Sequence, residues 1–176
     1  MWMLLQNEKS FSRDVALTGL LAAFSIILSY IEYLLPINIA IPGIKPGIAN
    51  VAIVVALYIL DYKKAIIIDV IKLIVIGILF GNAFSIMFSV AGALLSLLVM
   101  IVAKKIKIFT ILAVSVCGGV FHNVGQLIVA IFIMKSTIIV SYLPFLIIGG
   151  VLAGIIVGII SAAVTRIMMK ANKITN

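Results

Sequence analysis

Residues 47–80 read GIANVAIVVALYILDYKKAIIIDVIKLIVIGILF, and whether this stretch holds two membrane-crossing helices or fewer decides the fold. The charged break Asp61-Tyr62-Lys63-Lys64 divides it into apolar runs at about 47–60 and 64–80. The first run is short: about 14 residues rise only ~21 Å, against a hydrocarbon core of ~30 Å. Such a helix needs help from an ordered loop before it, or it sits inside a bundle away from lipid. The second run is also short and carries Asp69 and Lys72 within it.

Working outward, the remaining apolar runs fall at about 15–35, 83–103, 108–134 and 137–165, each bounded by charge, Pro or Gly. Of 176 residues, 65% are hydrophobic, and the mean hydropathy is +1.43. A soluble domain cannot cover that much apolar surface. The expected architecture is an all-α integral membrane protein, a six-transmembrane-helix bundle forming a single transmembrane domain over residues 1–176. No room is left for a soluble catalytic domain. Residues 1–31 loosely resemble a signal peptide but show no small-x-small cleavage site, so an uncleaved first helix is expected.

Charge sets the orientation. With a cytoplasmic amino terminus, six spans place Lys9, Arg13, Lys63, Lys64, Lys104, Lys105, Lys107, Arg166, Lys170 and Lys173 inside, and only Lys45 and Lys135 outside. That strong positive-inside bias puts both termini in the cytoplasm. The same distribution assigns the net charge of +8 to anionic lipid rather than to nucleic acid.

Topology then gives each intramembrane polar residue a depth. Thr18, Ala22, Ser25, Ser29 and Glu32 share one face of the first span, with Glu32 near its outer end. Asn50 begins the second span, and Lys72 lies near the middle of the third. Asn82 and Ser85 belong to the outer turn before the fourth, and Ser85, Ser89, Gly92 and Ser96 line a face of it. In the fifth, Ser115, Gly118, His122 and Gln126 share a face, with Asn123 beside it. These groups cluster in the outer half and the middle of the bilayer. Polar groups there are costly unless they face each other, the bundle interior or water. A polar pocket open to the outside is the expected solution, lined by Glu32, Lys45, Asn50, Lys72, Asn82, Ser85, His122, Asn123 and Gln126.

The segment IPGIKPGIAN (41–50) serves that pocket. Its two Pro-Gly pairs favour turns in which Gly takes positive φ, so residues 36–47 form a compact outer loop and a lid. Lys45 stands beside helix N-terminal amides that favour anions. Lys45 reads equally as an interfacial lysine reaching headgroups. Lys72 is either a site cation or the partner of Asp69 at i−3. Glu32 either marks the interface or binds. Phe121 to Gln126 (FHNVGQ) makes either helix-to-helix hydrogen bonds or contacts to a solute. Gly150, Gly154, Gly158 and Ala162 form a small-residue ridge, read as helix packing. The Gly19/Ala23 and Thr18/Ala22 pairs form a smaller ridge that packs internally or docks a membrane partner.

Other chemistries lack their residues. A single histidine and a single cysteine exclude a His- or Cys-built metal site. Five acidic residues include no paired-aspartate diphosphate motif, and no GxxxxGK[ST] is present. No catalytic residue, no metal and no cofactor are expected, and the chain is read as a non-enzyme.

The blocks PGIKPGIANVAIVVALYIL (42–60), ILFGNAFSIMFSVAGALLSLLVM (78–100), VCGGVFHNVGQLIVA (116–130) and YLPFLIIGGVLAGIIVGII (142–160) resemble the Gx transporter family, also called heptaprenyl diphosphate synthase component I. The resemblance covers about residues 10–170. That family is in turn similar to the substrate-binding components of energy-coupling-factor transporters, six-helix proteins that catch a solute outside and are toppled by a shared ATPase module. The resemblance implies a multi-pass protein of the bacterial inner membrane, partnered by separate ATPase and coupling subunits, that captures a small, anionic solute for uptake. It also implies an alternative: an accessory membrane subunit for prenyl diphosphate or quinone metabolism, or for extracellular electron transfer. Two departures stand out. Lys72 occupies a position where arginine is expected, which loses bidentate geometry. Gly19-xxx-Ala23 replaces the Ala-xxx-Ala docking pair.

Overall fold

In a computed structural model of the protein, residues 2–34 and 47–174 are described. They form helices α1 (Trp2–Leu34), α2 (Asn50–Ile59), α3 (Tyr62–Phe80), α4 (Ala83–Lys105), α5 (Ile111–Met134) and α6 (Leu143–Ile174), with a 3₁₀ turn at Thr137–Tyr142 leading into α6. No strand occurs among the described residues. Each apolar run of the sequence has its helix. Two helices extend past their runs: α1 starts well before residue 15, and α6 continues beyond Arg166 and Lys170. Four stretches are long and apolar enough to cross a membrane: Phe11–Leu34, Ala83–Lys105, Ile111–Met134 and Ile138–Ala171. Their outward faces carry Leu94, Phe132, Ile138 and Ile156 fully in the open. A water-soluble protein does not leave so much apolar surface uncovered, so this is a membrane protein.

The short helix answers the question raised by residues 47–60. Every residue of α2 from Val51 to Leu57 is buried. A helix that is apolar all round belongs in the interior, and α2 packs on α1, α3 and α6. Of the two ways to house so short a helix, the fold uses burial in protein. Around it, α3 contacts α1 and α4, and α4, α5 and α6 pack in sequence.

Local chemistry sets the helix ends. Asp61 caps α3 by accepting from the Lys64 backbone N–H at 2.8 Å, and Asn82 caps α4 through the Ser85 N–H at 2.8 Å. Thr110 caps α5 at 3.2 Å. These are ordinary N-cap bonds. The Lys64 N–H holds the Asp61 carboxyl below its usual value, so the cap's stabilisation is fully present above the normal carboxylate pKa and is lost only as pH falls through the lowered one. Before α2, Gly47 has φ 69°, and its carbonyl accepts from Asn50 N–H at 2.9 Å. The positive φ at Gly47 is the one the Pro-Gly pairs call for, and glycine adopts it at no steric cost, while Lys45 and Pro46 lie outside the described residues.

The two ends of the bundle differ in chemistry. At one end Lys64 pairs with Asp14 of α1 and, at 3.5 Å, with Asp61. There too Lys104 of α4 donates to the Leu57 carbonyl of α2 while lying 5.0 Å from the Tyr58 ring centroid. A cation at the C-terminal end of α2 suits the helix dipole. At the opposite end, Tyr30 and Tyr33 of α1 stack on Phe80 with centroids at 5.4 and 4.5 Å, as rings do at a membrane interface.

Candidate functional site

The interval between α2 on one side and α4 and α5 on the other is not filled by helix contacts; it holds a cavity. Gly47 and, from the first turn of α2, Asn50 belong to its lining. Val54 continues the α2 wall, and Ser96 and Met100 of α4 face it. From α5 come Ser115, Gly118, Gly119, His122 and Asn123, and from α6 Gly150, Ala153, Gly154 and Val157. The non-atom space, open mouth included, is about 400 Å³, and the centre of a water-sized sphere can move through about 30 Å³ of it. That enclosed part takes about two waters.

Glycines make the cavity floor. α5 and α6 approach so closely that a Cβ on Gly119 would lie 2.3 Å from the Gly150 carbonyl oxygen, and one on Gly154 would lie 2.6 Å from the Val116 Cα. Gly158 meets Leu112 in the same way, at 2.9 Å. The ridge of Gly150, Gly154 and Gly158 therefore packs against α5 inside the chain, as small-residue ridges do. The wall of the cavity is backbone for the same reason.

Side-chain orientation at the site follows from donor and acceptor rules. Lys72 Nζ donates to Asn50 Oδ1 at 3.1 Å. An ammonium can only donate, so the Asn50 oxygen faces Lys72 and its NH₂ is turned away. Asn123 Nδ2 donates to the Leu146 carbonyl at 2.7 Å, which leaves Oδ1 to accept. His122 Nε2 lies 3.3 Å from Gln126 Nε2, one turn further along α5. The imidazole rests on Gly92 of α4, where a Cβ would approach it to 2.9 Å. Ser115 Oγ is buried with no hydrogen-bond partner, a condition that normally means water or a ligand supplies one.

Three of the nine residues expected at the site, Asn50, His122 and Asn123, meet in this cavity. Lys72 does not line it. Lys72 stands behind Asn50 and is ion-paired with Asp69 at 2.5 Å, so of its two sequence readings the i−3 pair is the one present. Glu32 accepts from the Ile48 N–H and anchors the start of α2. Asn82 and Ser85 are spent on the α4 cap, away from the cavity. Gln126 touches the cavity only through His122. Lys45 lies outside the described residues, as does most of the proposed lid at 36–47. Gly19 and Ala23 are on an exposed face of α1, and nothing comes within 4 Å of a Cβ built on Gly19.

Ser96 and Ser115 are the polar residues that the depth argument left out. Both sit on the polar faces already read from the sequence, but that argument stopped at mid-membrane. The cavity reaches further: His122 to Ser115 is about 10 Å along α5. Among the described residues no group of three or more His, Cys, Asp or Glu could hold a metal ion.

A family model described as heptaprenyl diphosphate synthase component I matches residues 21–164, a segment that contains every residue lining the cavity. No curated protein and no solved structure matches the chain.

Proposed function

We propose that this chain, which belongs to the heptaprenyl diphosphate synthase component I family, is the substrate-binding subunit of an energy-coupling-factor type transporter. It is a non-catalytic membrane component that works with partners. The observation that carries the reading is the cavity itself, where polar side chains of α2, α4 and α5 converge beside the glycines of α6 and one buried hydroxyl, Ser115, has no partner. Such convergence inside a membrane bundle is the usual mark of a solute site.

In this reading all six helices span the bacterial inner membrane. α2 is sheltered by protein, and the lysine-rich ends together with both termini face the cytoplasm. The Gly47 and Asn50 side of the cavity then faces outward. One turn beneath Val54 and Met100, the bond from Lys104 to the Leu57 carbonyl closes the inner end. A solute enters on the Gly47 and Asn50 side and satisfies the Ser115 hydroxyl. The loaded bundle is then handed to a coupling subunit and its ATPases. The open α1 face at Gly19 and Ala23 is the docking surface, because two small residues with nothing against them let another helix come close.

The test is copurification from native membranes. Tagged protein should carry the ATPase and coupling subunits, and Gly19→Leu with Ala23→Leu should reduce their yield more than about tenfold without changing the melting temperature. The family description favours a second reading, an accessory to a prenyl diphosphate synthase. In that case the catalytic synthase chain copurifies and the coupling module does not, and the transport reading fails.

A further inference from the structure

The expectation of an anionic solute rested on Lys45 and Lys72. Among the described residues the cavity lining contains no charged side chain. Among the described residues the nearest charges are engaged elsewhere. Lys72 is neutralised by Asp69, with both side chains more than nine-tenths buried. Glu32 is bound to the Ile48 N–H, and Lys104 is directed at the Leu57 carbonyl and the Tyr58 ring. The polar side chains of the lining are Asn50, Ser96, Ser115, Asn123 and the ring of His122, whose Nε2 meets Gln126 Nε2. Lys72 takes the Asn50 oxygen, which leaves that residue its NH₂ to donate, and Leu146 takes the Asn123 NH₂, which leaves its oxygen to accept. Ser115 offers a hydroxyl with no partner, and Val54, Met100 and Val157 supply apolar contact.

We propose that this chamber selects an uncharged, amide- or lactam-bearing solute, its carbonyl meeting the Asn50 NH₂ and its N–H the Asn123 oxygen, and that Lys72 is a positioning residue which never touches it. The proposal rests on the chamber being the solute site and deepens that reading by naming the class of compound. A carboxylate here would give up its hydration and find no lysine or arginine among the described lining residues to replace it. An amide finds one donor and one acceptor already oriented, and a site built to hydrogen-bond such groups rejects analogues that lack them. Lys72 contributes by fixing which way the Asn50 amide points. The Asp69 carboxylate beside it cancels the field that a lone lysine would project into the chamber.

Matched probes that differ only in charge test this: nicotinamide against nicotinate, and uracil against orotate, titrated calorimetrically into the purified full chain in phospholipid nanodiscs. The neutral member of at least one pair should bind at least about tenfold more tightly than its anion, and Ser115→Ala should weaken it by about threefold or more. Replacing the buried ion pair as a whole, Asp69→Leu with Lys72→Met, should lower affinity for the neutral probe several-fold and leave the neutral-to-anion ratio unchanged. Tighter binding of the anions overturns the proposal, as does binding of all four probes weaker than about 10 mM. So does an unchanged affinity in Ser115→Ala, or a ratio that rises when Lys72 is removed, since that rise means Lys72 was holding the anion. These readouts need no partner chain. A failed copurification with a coupling module would refute the transport reading and leave the charge preference standing.

Discussion

Replacing Lys72 with alanine should lower stability by about 3–5 kcal/mol, a drop of roughly 6–20 °C in melting temperature. The substitution strands the Asp69 carboxylate, whose side chain is only 7% exposed, between α3 and its neighbours without its cation. It also removes the donor that holds Asn50. Replacing both members of the pair, with Asp69→Leu and Lys72→Met, should cost less than about 2 kcal/mol, because the desolvation of two charges is relieved along with the loss of their attraction. Thermal unfolding of purified protein in one detergent compares the three chains directly. If Lys72→Ala melted with the wild type, the ion pair would contribute little, and the explanation given for the orientation of Asn50 would fall with it.

The α5–α6 seam should be still less tolerant. A side chain at Gly154 would start 2.6 Å from the Val116 Cα and 2.9 Å from the Ser115 carbonyl oxygen, and one at Gly119 would start 2.3 Å from the Gly150 oxygen. These obstacles are backbone atoms and cannot rotate away. Gly119→Ala or Gly150→Ala should therefore cost about 1–3 kcal/mol, and Gly154→Leu more. The bulkier change is expected to abolish recovery of monodisperse protein by size exclusion. Gly19→Leu is the control: the same change on a face with nothing within 4 Å should leave the melt unaltered. Were the ridge an oligomer contact, Gly154→Leu would instead yield a folded, smaller species.

Local periodicity carried much of this structure. The shortness of the run at 47–60 left two ways to house it, an ordered loop before it or burial inside the bundle, and α2 is buried. The polar face of α5 was readable from its spacing, and Ser115, Gly118 and His122 from that face line the cavity. Residues that lie away from the cavity do so for physical reasons that single positions do not reveal. Asn82 has the side chain of a ligand contact, but three residues on lies a helix N–H that it satisfies first. Lys72 looked like a site cation because position alone does not say whether a charge faces a cavity or its own helix neighbour. The closure by Lys104 joins residues 47 apart, and the pair of Lys64 with Asp14 joins residues 50 apart. Such partners are set by tertiary packing and have no periodic signal.

The enclosure of α2 has a bearing on how the protein is made. Its 10 residues span only ~15 Å, too little to partition into lipid unaided, yet they leave the ribosome before most of the chain that will wrap them. Until α6 arrives, this segment has only α1 and α3 for shelter. During synthesis it must stay tethered between those two neighbours, and the late helices then enclose it, so bilayer assembly is completed from the carboxyl-terminal half inward.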